Sequence, residues 1–498
     1  GGGIENRIRL TRELLEETKE AVGDTCAVAF RFAVDELKGF DGMQSHEEGR
    51  AVVELLAELP DLWDVNVSDW SNDSQTTRFE MQEGYQTRFT EFVKSLTSKP
   101  VVGVGRLTSP DLMASLVKNK TLDLIGAARP SIADPYLPNK IRDGRADEIR
   151  ECIGCNICVS SDMFSVPIRC TQNPTMGEEW RRGWHPEEIK TKKTEQTALV
   201  VGSGPAGLEC SMQLARRGYH VILSEAGSEV GGRVLFESSL KGLSAWRRVV
   251  DNRVYEIQKK NNIEIYKESE LSFSHINELG INNIFIATGS SWRSDGIGRS
   301  QRKGITGLKN IKVLTPIDAI RNQGSIEEPI VVYDDEQGYL AGVIADHMSA
   351  QGSAITFVTP ASIVSPWTES TLEQKRVQKA LLNQSVKVIP NKIISHANGD
   401  NIETRCIYTN EAIEIACKTL ILVTERQPNN TLYQKLIAQE ASLEGATKIR
   451  HIEAIGDAMA PGLIADAIFS GHLAAENFET PEIEIERAMY MREMPSLK

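Results

Sequence analysis

The first 150 residues alternate between helical and strand-like patterns of hydrophobic positions. Amphipathic periodicity predicts helices from Ile8 to Val22 and from Glu47 to Leu59. Short apolar runs predict buried strands at residues 26–32, 62–68, 101–105 and 123–128. Four β/α units of this kind indicate a parallel barrel, but a closed barrel needs eight strands. Four strands alone would leave two edges without partners.

A different α/β pattern begins at the apolar strand Thr197–Val201. The strand leads into a glycine turn that opens a helix, and the turn contains Gly202, Gly204 and Gly207. The next strand ends at Glu225, 18 residues past Gly207. Such glycines let the backbone approach a pyrophosphate, and the acid binds ribose hydroxyls. Strand, glycines, helix and acid in this order predict a Rossmann-type fold that binds an adenine nucleotide.

A second nucleotide site is expected in the middle of such a fold, near the candidate strand Ile330–Tyr333. That strand is followed by Asp334, Asp335 and Glu336. Three carboxylates at this turn would repel a pyrophosphate and block close approach of the backbone. The sequence therefore predicts that NAD(P)H does not bind here.

Four cysteines between these two regions have the spacing of metal ligands, and they are Cys152, Cys155, Cys158 and Cys170. Three close steps and a remote fourth favour a 4Fe–4S cluster, which uses four thiolates. A structural zinc site is the alternative, but such sites usually pair two CxxC knuckles across a longer loop. A cluster would mean that electrons pass through this protein.

Composition narrows the class of protein. The chain has 498 residues, enough for two to four domains, and its formal net charge of −13 argues against general nucleic-acid binding. No apolar run approaches the ~20 residues of a membrane span. Eight cysteines, half of them clustered, indicate metal ligation in a reducing compartment, and we expect a cytoplasmic protein. The others are expected to be small buried hydrophobic residues, and they are Cys26, Cys210, Cys406 and Cys417.

Several further motifs occur along the chain, and they are residues 151–158, residues 170–174 (Cys-Thr-Gln-Asn-Pro), residues 177–186, Gly231-Gly-Arg233, Ala287-Thr-Gly289 and Ile455-Gly-Asp457. Together they resemble the trimethylamine dehydrogenase family, whose relatives include dimethylamine and histamine dehydrogenases and, more distantly, 2,4-dienoyl-CoA reductase. The resemblance implies an α/β chain with part of an FMN barrel, a 4Fe–4S segment and a two-domain flavoprotein reductase fold. It also implies that Arg233 joins the glycines and Glu225 in binding the nucleotide.

The resemblance places residues 2–7 in the middle of the family's barrel, because Gly-Gly-Ile-Glu-Asn-Arg is similar to a motif found there. It implies that the chain contributes only the second half of that (β/α)8 barrel. Either a second polypeptide supplies the first four strands, or this chain is one product of a split or cleaved protein. A truncated, inactive remnant is the competing interpretation, and the presence of the expected flavin-binding residues argues against it.

Those flavin-binding residues are expected at the C-terminal ends of strands, where barrel enzymes keep their chemistry. Gly105 ends the seventh strand of a complete barrel and Arg106 follows it, whereas Arg129 follows the eighth. Loops at these positions commonly hold a phosphate, which suits a guanidinium. By resemblance both arginines contact the FMN phosphate region, and Arg31, which we expect to end the fifth strand, faces the flavin ring. A surface ion pair is the alternative for each arginine alone.

The resemblance also implies substrate residues. Trp70 matches a tryptophan of the aromatic bowl that surrounds the substrate's ammonium group, and Asp73 matches a carboxylate that orients an active-site histidine. Asp162 stands where trimethylamine dehydrogenase has a second bowl tryptophan, and histamine dehydrogenase resembles this chain there. This favours an amine with N–H donors or a second cationic group. For Trp70 and Asp73, the alternatives are a tryptophan that packs in the core and an aspartate that stabilises a turn.

We therefore expect an iron–sulfur flavoprotein amine dehydrogenase with FMN, a 4Fe–4S cluster and ADP, with FAD less favoured. Its expected partners are the second polypeptide, an electron-transfer flavoprotein, a small amine and another such unit in a dimer, but no nucleic acid or membrane. Tyr339 falls near a surface tyrosine linked to electron exit in the family, and a merely exposed tyrosine is the alternative.

Two other functions stay open, an NAD(P)H-dependent enoyl reductase like 2,4-dienoyl-CoA reductase and a non-catalytic electron-transfer subunit. The predicted domains are the half barrel (1–150), the cluster segment (151–195), the first part of the ADP-binding domain (196–325), a degenerate NAD-binding-like domain (326–425) and a return to the ADP-binding domain with a tail (426–498).

Overall fold

The computed structural model describes residues 2–68, 83–322, 326–440 and 449–490. The chain divides into two compact units, Gly1–Cys155 and Asn156–Lys498. Both units combine parallel strands with helices, which confirms the predicted α/β class.

The first unit contains a sheet of parallel strands in the order β1-β2-β3-β4. Its strands are β1 (Ala29–Asp35), β2 (Leu62–Val67), β3 (Val101–Gly103) and β4 (Leu124–Ile125). Its helices are α1 (Ile4–Val22), α2 (Glu48–Leu56), α3 (Thr87–Thr90), α4 (Pro110–Lys118), α5 (Ala128–Ala133) and α6 (Leu137–Arg142). The alternation of strands and helices agrees with the hydrophobic pattern of this region.

The core of the first unit forms around Trp63, whose side chain is fully buried. Phe30 and Phe32 pack edge-on against its ring at centroid distances of 5.3 and 6.4 Å. Its indole N–H donates to the carbonyl oxygen of Ala57 at 3.0 Å. Buried positions alternate along β2 because successive residues of a strand point to opposite faces.

Strand β1 begins three residues later than predicted and extends further. Val28 donates its N–H to the Asp61 carboxylate at 2.9 Å, so strand pairing starts only at Ala29. The strand then continues to Asp35, four residues beyond Arg31. The prediction that Arg31 ends this strand is therefore wrong.

The described residues of the second unit form two five-stranded parallel sheets and two smaller antiparallel ones. Its strands are β5 (Thr197–Val201), β6 (His220–Ser224), β7 (Ile263–Tyr266), β8 (Asn283–Ile286), β9 (Ser290–Trp292), β10 (Lys312–Leu314), β11 (Ile330–Asp334), β12 (Ile355–Val358), β13 (Lys387–Ile389), β14 (Lys392–Asn398), β15 (Asn401–Cys406), β16 (Ala412–Ala416), β17 (Thr419–Val423), β18 (Arg426–Pro428) and β19 (His451–Ala454). Its helices are α7 (Ile157–Met163), α8 (Glu179–Arg182), α9 (Pro205–Arg217), α10 (Val234–Glu237), α11 (Arg248–Gln258), α12 (Phe273–Leu279), α13 (Pro316–Arg321), α14 (Leu340–Ala350), α15 (Gln374–Asn383), α16 (Thr431–Glu440), α17 (Ile464–Asn477) and α18 (Glu482–Tyr490).

The strand order of the two parallel sheets positions the candidate nucleotide turns. One sheet has the order β19-β8-β5-β6-β7 and the other β10-β17-β11-β12-β13. The central strands β5 and β11 are buried along nearly their whole length, as expected for parallel strands covered on both faces. The turns after β5 and β11 lie at the carboxyl edges of their sheets, where α/β folds bind ligands.

The four scattered cysteines differ in burial. Cys210 and Cys417 are fully buried, as predicted. Cys26 is exposed and Cys406 is half-buried, so the prediction is wrong for these two. Cys26 precedes β1 rather than lying within it, and Cys406 is the last residue of β15, at a hairpin connection.

Candidate cofactor and substrate sites

The glycine turn after β5 has no room for side chains at two of its three glycines. Gly202 has φ 102°, and a Cβ there would lie 2.4 Å from the carbonyl oxygen of Ala287. A Cβ on Gly207 would lie 1.9 Å from the carbonyl oxygen of Gly202. At Gly204, in contrast, the nearest heavy atom to a Cβ is 4.0 Å away. Close backbone packing thus requires Gly202 and Gly207, whereas Gly204 leaves open space.

Glu225 follows β6 and faces this turn. One carboxylate oxygen accepts the N–H of Ser203 at 3.0 Å, and the other accepts the N–H of Gly227 at 2.7 Å. The turn, Glu225 and Thr288 line a cleft of about 620 Å³. The end of the predicted strand, Gly202, Gly204, the start of the helix and the acid therefore line one cavity.

Arg233 lies at the wall of the cleft and is bound to carboxylates of the chain. Its Nη1 donates to Glu237 at 2.8 Å, its Nε lies 3.4 Å from Asp457, and its Nη2 donates to the carbonyl oxygen of Gly462 at 2.8 Å. Burial alone would lower the Arg233 pKa, but attraction to Glu237 and Asp457 outweighs it, and the pKa is raised. A direct contact of Arg233 with a nucleotide stays a prediction.

The acidic turn after β11 uses its own backbone donors. The N–H groups of Asp335 and Glu336 both donate to the carbonyl oxygen of Val423, at 2.9 and 3.0 Å. The buried Asp335 carboxylate accepts the N–H of Ser300 at 3.0 Å. Burial raises the pKa of Asp334 and of Asp335. The N–H groups of Asp335 and Glu336 are therefore already engaged and are not available to a pyrophosphate, and the absence of NAD(P)H binding stays a prediction.

Tyr339 is not a surface residue. Its side chain is 7% exposed, its ring packs edge-on against Trp246 at 5.2 Å, and its hydroxyl donates to the carboxylate of Glu237. Burial raises its pKa well above the ordinary value. Both interpretations that placed Tyr339 at the surface are wrong, because it lies just before α14 with its ring turned inward.

The residues predicted to hold the flavin phosphate lie close behind β3 and β4. Arg106 is 5% exposed, has a left-handed φ of 54°, and donates from Nη1 to the carbonyl oxygen of Cys152 at 3.2 Å. Gly105 has φ 149°, and a Cβ there would lie 3.1 Å from Cα of Gly84. Arg129 is half-buried in the first turn of α5. The bond between Arg106 and the cysteine segment has no signal in the local sequence.

Arg31, which is largely exposed, occupies the middle of β1. Its Nε lies 3.7 Å from a carboxylate oxygen of Asp64 on β2, with 68% of the Arg31 side chain exposed. The surface ion pair named as the alternative is therefore present. A further contact with a flavin ring stays a prediction.

Each unit holds two of the four motif cysteines. Cys152 is buried, and the N–H of Gly154 lies 3.4 Å from its sulfur in hydrogen-bonding geometry. In the second unit, Cys158 lies on α7. Asn156, the residue just before this helix, donates its side-chain amide N–H to the carbonyl oxygen of Thr371 at 2.9 Å and so anchors the start of the helix. Across the described ranges, no three His, Cys, Asp or Glu side chains converge where a single metal ion could bind. Cysteines of a 4Fe–4S cluster need not converge in this way, because each binds a different iron.

The loop around Cys170 is held by Glu178 and by Arg253, of which Arg253 lies outside every predicted motif. Arg169 pairs with Glu178, which is fully buried. Gln172 is also buried and accepts hydrogen bonds from Arg253. The charged run at residues 177–182 could have indicated the first contact, but nothing near Arg253 in the sequence indicates the second.

The substrate residues are largely outside what the structure shows. Trp70 and Asp73 lie outside the described residues. Asp162 is exposed in the last turn of α7.

None of the described helices is both long and apolar enough to cross a membrane.

Two family profiles match the chain. One is described as the NADH:flavin oxidoreductase / NADH oxidase family and matches residues 1–148. The other is described as pyridine nucleotide-disulphide oxidoreductase and matches residues 196–471. The matches support a flavin-barrel domain followed by a flavoprotein reductase domain.

Similar proteins include amine-oxidising enzymes. Dimethylamine dehydrogenase of Hyphomicrobium sp. (strain x) is 36% identical over 99% of this chain and 70% of its own length. Histamine dehydrogenase of Rhizobium sp. 4-9 superposes with a TM-score of 0.95 at 44% identity, covering 100% of this chain and 72% of that one. A 6-hydroxypseudooxynicotine amine oxidase of Pseudomonas geniculata N1 has a TM-score of 0.92 at 45% identity, with 96% and 71% covered. These matches confirm the resemblance found from the motifs, and the chain belongs to the flavoprotein family that includes dimethylamine dehydrogenase and histamine dehydrogenase.

Proposed function

We propose that this protein oxidises a small amine as an iron–sulfur flavoprotein dehydrogenase. The observation that carries the proposal is the similarity over nearly the whole chain to enzymes named for amine oxidation, at 36–45% identity. Removal of two electrons and one proton from an amine gives an iminium ion, which water hydrolyses to a carbonyl compound and a smaller amine or ammonia. FMN accepts the electron pair when bound.

The flavin phosphate would be held by Gly105, Arg106 and Arg129. Two arginines behind neighbouring strands suit a phosphate, and Gly105, at φ 149°, has a backbone conformation that favours glycine. Arg31 would lie near the ring, where a cation stabilises negative charge gained on reduction.

Further barrel strands would cover the sheet of the first unit. In the described part of the chain, β1 and β4 each have one strand neighbour. The backbone N–H and C=O groups on their outer edges are therefore available to pair with further strands. A second polypeptide, or a further part of the same protein, would supply these strands. A stable monomer of this chain holding stoichiometric FMN would contradict this part of the proposal. A dimer of such units is also expected.

A 4Fe–4S cluster would be bound by Cys152, Cys155, Cys158 and Cys170. The chemistry of the donor set fits, since four thiolates ligate such a cluster and the Gly154 N–H points at one sulfur. The cluster would pass electrons singly to an electron-transfer flavoprotein. The division of the chain into five domains, with the cluster segment at 151–195, stays part of this proposal.

The cleft after β5 would hold ADP, with Gly202, Gly204 and Gly207 near the pyrophosphate and Glu225 near the ribose. The engaged N–H groups of the acidic turn after β11 support the absence of a working nicotinamide site. ADP is favoured over FAD in this cleft, because a flavin there would need a working nicotinamide site to reduce it. The electrons of the proposed reaction come instead from the amine.

The substrate would meet Trp70, Asp73 and Asp162. An aromatic face attracts a cation, and a carboxylate accepts hydrogen bonds from N–H groups. We therefore expect a primary or secondary amine, or one with a second cationic group, in preference to trimethylamine.

The function is tested by anaerobic reduction of the purified holoenzyme. Histamine, dimethylamine and trimethylamine are compared with NADPH, and bleaching of the visible absorption is recorded. Bleaching by an amine and not by NADPH supports the proposal. Rapid bleaching by NADPH alone would instead favour an enoyl reductase, and no bleaching by either would favour an electron-transfer subunit.

The cluster is tested separately with Cys155→Ser. This variant should lose iron and acid-labile sulfide and should no longer be reoxidised by one-electron acceptors, while the amine still reduces the flavin. Cys26→Ser changes an exposed cysteine outside the motif and should keep its iron. Stoichiometric zinc without sulfide in the unaltered protein would contradict the cluster.

A further inference from the structure

A buried network of charged side chains connects three helices of the second unit. Glu209 on α9 and Arg253 on α11 are each 1% exposed, and the Arg253 Nε donates to Glu209 at 2.7 Å. Nδ1 of His472 on α17 lies 2.8 Å from the other Glu209 oxygen. Burial would raise the Glu209 pKa, but Arg253 and His472 outweigh it and hold the pKa at about 2. The carboxylate is therefore ionised at neutral pH.

The other donors of Arg253 reach the loop that carries Cys170. Its Nη1 donates to Gln172 Oε1 at 3.1 Å, and its Nη2 donates to the Gln172 carbonyl oxygen at 3.3 Å. Gln172 is 1% exposed and lies two residues past Cys170. A planar guanidinium can join a carboxylate on one side to a loop on the other, because its donors form a rigid fork. The loop is thereby fixed to α9 and α11.

Buried ion networks are weak stabilisers, because desolvation of the charges costs about as much as their attraction returns. A purely structural purpose would be met as well by apolar side chains of similar volume. The network does what apolar side chains cannot: it fixes a loop backbone and places a cation two residues from a predicted iron ligand.

We propose that Arg253, oriented by Glu209 and His472, is a positioning residue for the 4Fe–4S cluster. It holds the Cys170 loop in place and stabilises the reduced, more negative cluster. The proposal rests on the proposed function, since it needs the cluster at the four cysteines. Groups behind the ligands of a metal typically change its affinity about 10- to 100-fold.

Arg217 offers a matched control within the same helices. It is 3% exposed on α9 and donates to the carbonyl oxygens of Lys190, at 3.3 Å, and Phe478, at 3.0 Å. It also donates to the carbonyl oxygen of Ala475 on α17. Its hydrogen bonds in the described part of the chain thus join α9 to α17 without reaching Gln172.

The experiment compares Arg253→Met, Arg253→Lys, Glu209→Gln and Arg217→Met in the holoenzyme. Iron release to a chelator and the midpoint potential of the cluster are measured, and nucleotide content reports whether α9 is intact. Arg253→Met should release iron about 10- to 100-fold faster than the unaltered enzyme. Arg253→Lys should be intermediate, because it keeps the charge and loses the fork. Arg217→Met should release iron nearly as slowly as the unaltered enzyme.

The potential separates positioning from general destabilisation. Loss of a cation in Arg253→Met should lower the potential, and loss of an anion in Glu209→Gln should raise it. Two outcomes would overturn the positioning role of Arg253 without affecting the proposed cluster. One is equal iron release from Arg253→Met and Arg217→Met, and the other is a midpoint potential that shifts in the same direction in Arg253→Met and Glu209→Gln. An unaltered holoenzyme without iron would overturn the cluster, and this proposal with it.

Discussion

Arg106 donates a hydrogen bond from Nη1 to the carbonyl oxygen of Cys152 at 3.2 Å. The two residues are 46 positions apart, and Arg106 is 5% exposed. A side chain predicted to bind a flavin phosphate is therefore also tied to the backbone of the first motif cysteine. This bond gives Arg106 a structural role that is independent of any bound flavin.

Replacement of Arg106 by Met should destabilise the protein even without flavin. The lost bond from a charged donor, together with the buried acceptor left behind, should cost about 1.5–3 kcal/mol. Denaturant unfolding of flavin-free protein measures this loss. Arg142→Met is the control, since that side chain is 70% exposed and should change stability by less than about 0.5 kcal/mol. Equal stabilities of the two variants would show that the bond to Cys152 contributes nothing.

Two glycines of the nucleotide turn should respond differently to alanine. Gly207→Ala places a Cβ 1.9 Å from a carbonyl oxygen, so the turn must move, and we expect a loss of stability of about 1–3 kcal/mol together with loss of nucleotide. Gly204→Ala has 4.0 Å of space and φ −67°, so it should fold normally and still lose nucleotide affinity, because the methyl group lines the cleft. Thermal unfolding and chromatography of the released nucleotide measure both effects. Full nucleotide content in Gly204→Ala would place the ligand elsewhere.

Asp334→Asn should stabilise the protein at alkaline pH. Burial raises the pKa of Asp334 well above its ordinary value. Above about pH 4 the unfolded chain has lost this proton while the folded protein keeps it, so folding stability falls as pH rises through that window. The amide can still accept the Gln337 N–H that Oδ1 accepts at 2.8 Å. Unfolding at pH 4 and pH 8 should show a gain at pH 8 that disappears at pH 4. The exposed Glu414→Gln serves as control, and a gain that is equal at both pH values would contradict the assigned cause.

Asp162→Ala should weaken kcat/KM for the true amine by a factor that corresponds to about 1.5–3 kcal/mol, the range for a hydrogen bond to a charged group. Asp162→Trp should move the preference towards tertiary methylamines. A panel of amines with an artificial electron acceptor measures both. Preference of the unaltered enzyme for trimethylamine, with no effect of Asp162→Ala, would show that Asp162 does not contact the substrate.

The sequence alone determined the features that depend on neighbouring residues. The Gly202–Gly207 turn followed by Glu225 was predictable, because a strand, a tight turn and a helix impose local steric requirements that only certain residues meet. The parallel α/β class was predictable from the alternation of helical and strand-like patterns of hydrophobic residues. The spacing of Cys152 to Cys170 likewise restricts the kind of metal centre, although the structure leaves that centre a prediction.

The folded chain brings together groups that lie far apart in the sequence. Tyr339 is buried against Trp246, and Arg31 pairs with Asp64 from the middle of its strand. Arg253 reaches Gln172 across 81 positions of the chain. Such contacts depend on how whole helices and strands pack, and no local spacing of residue types encodes that packing.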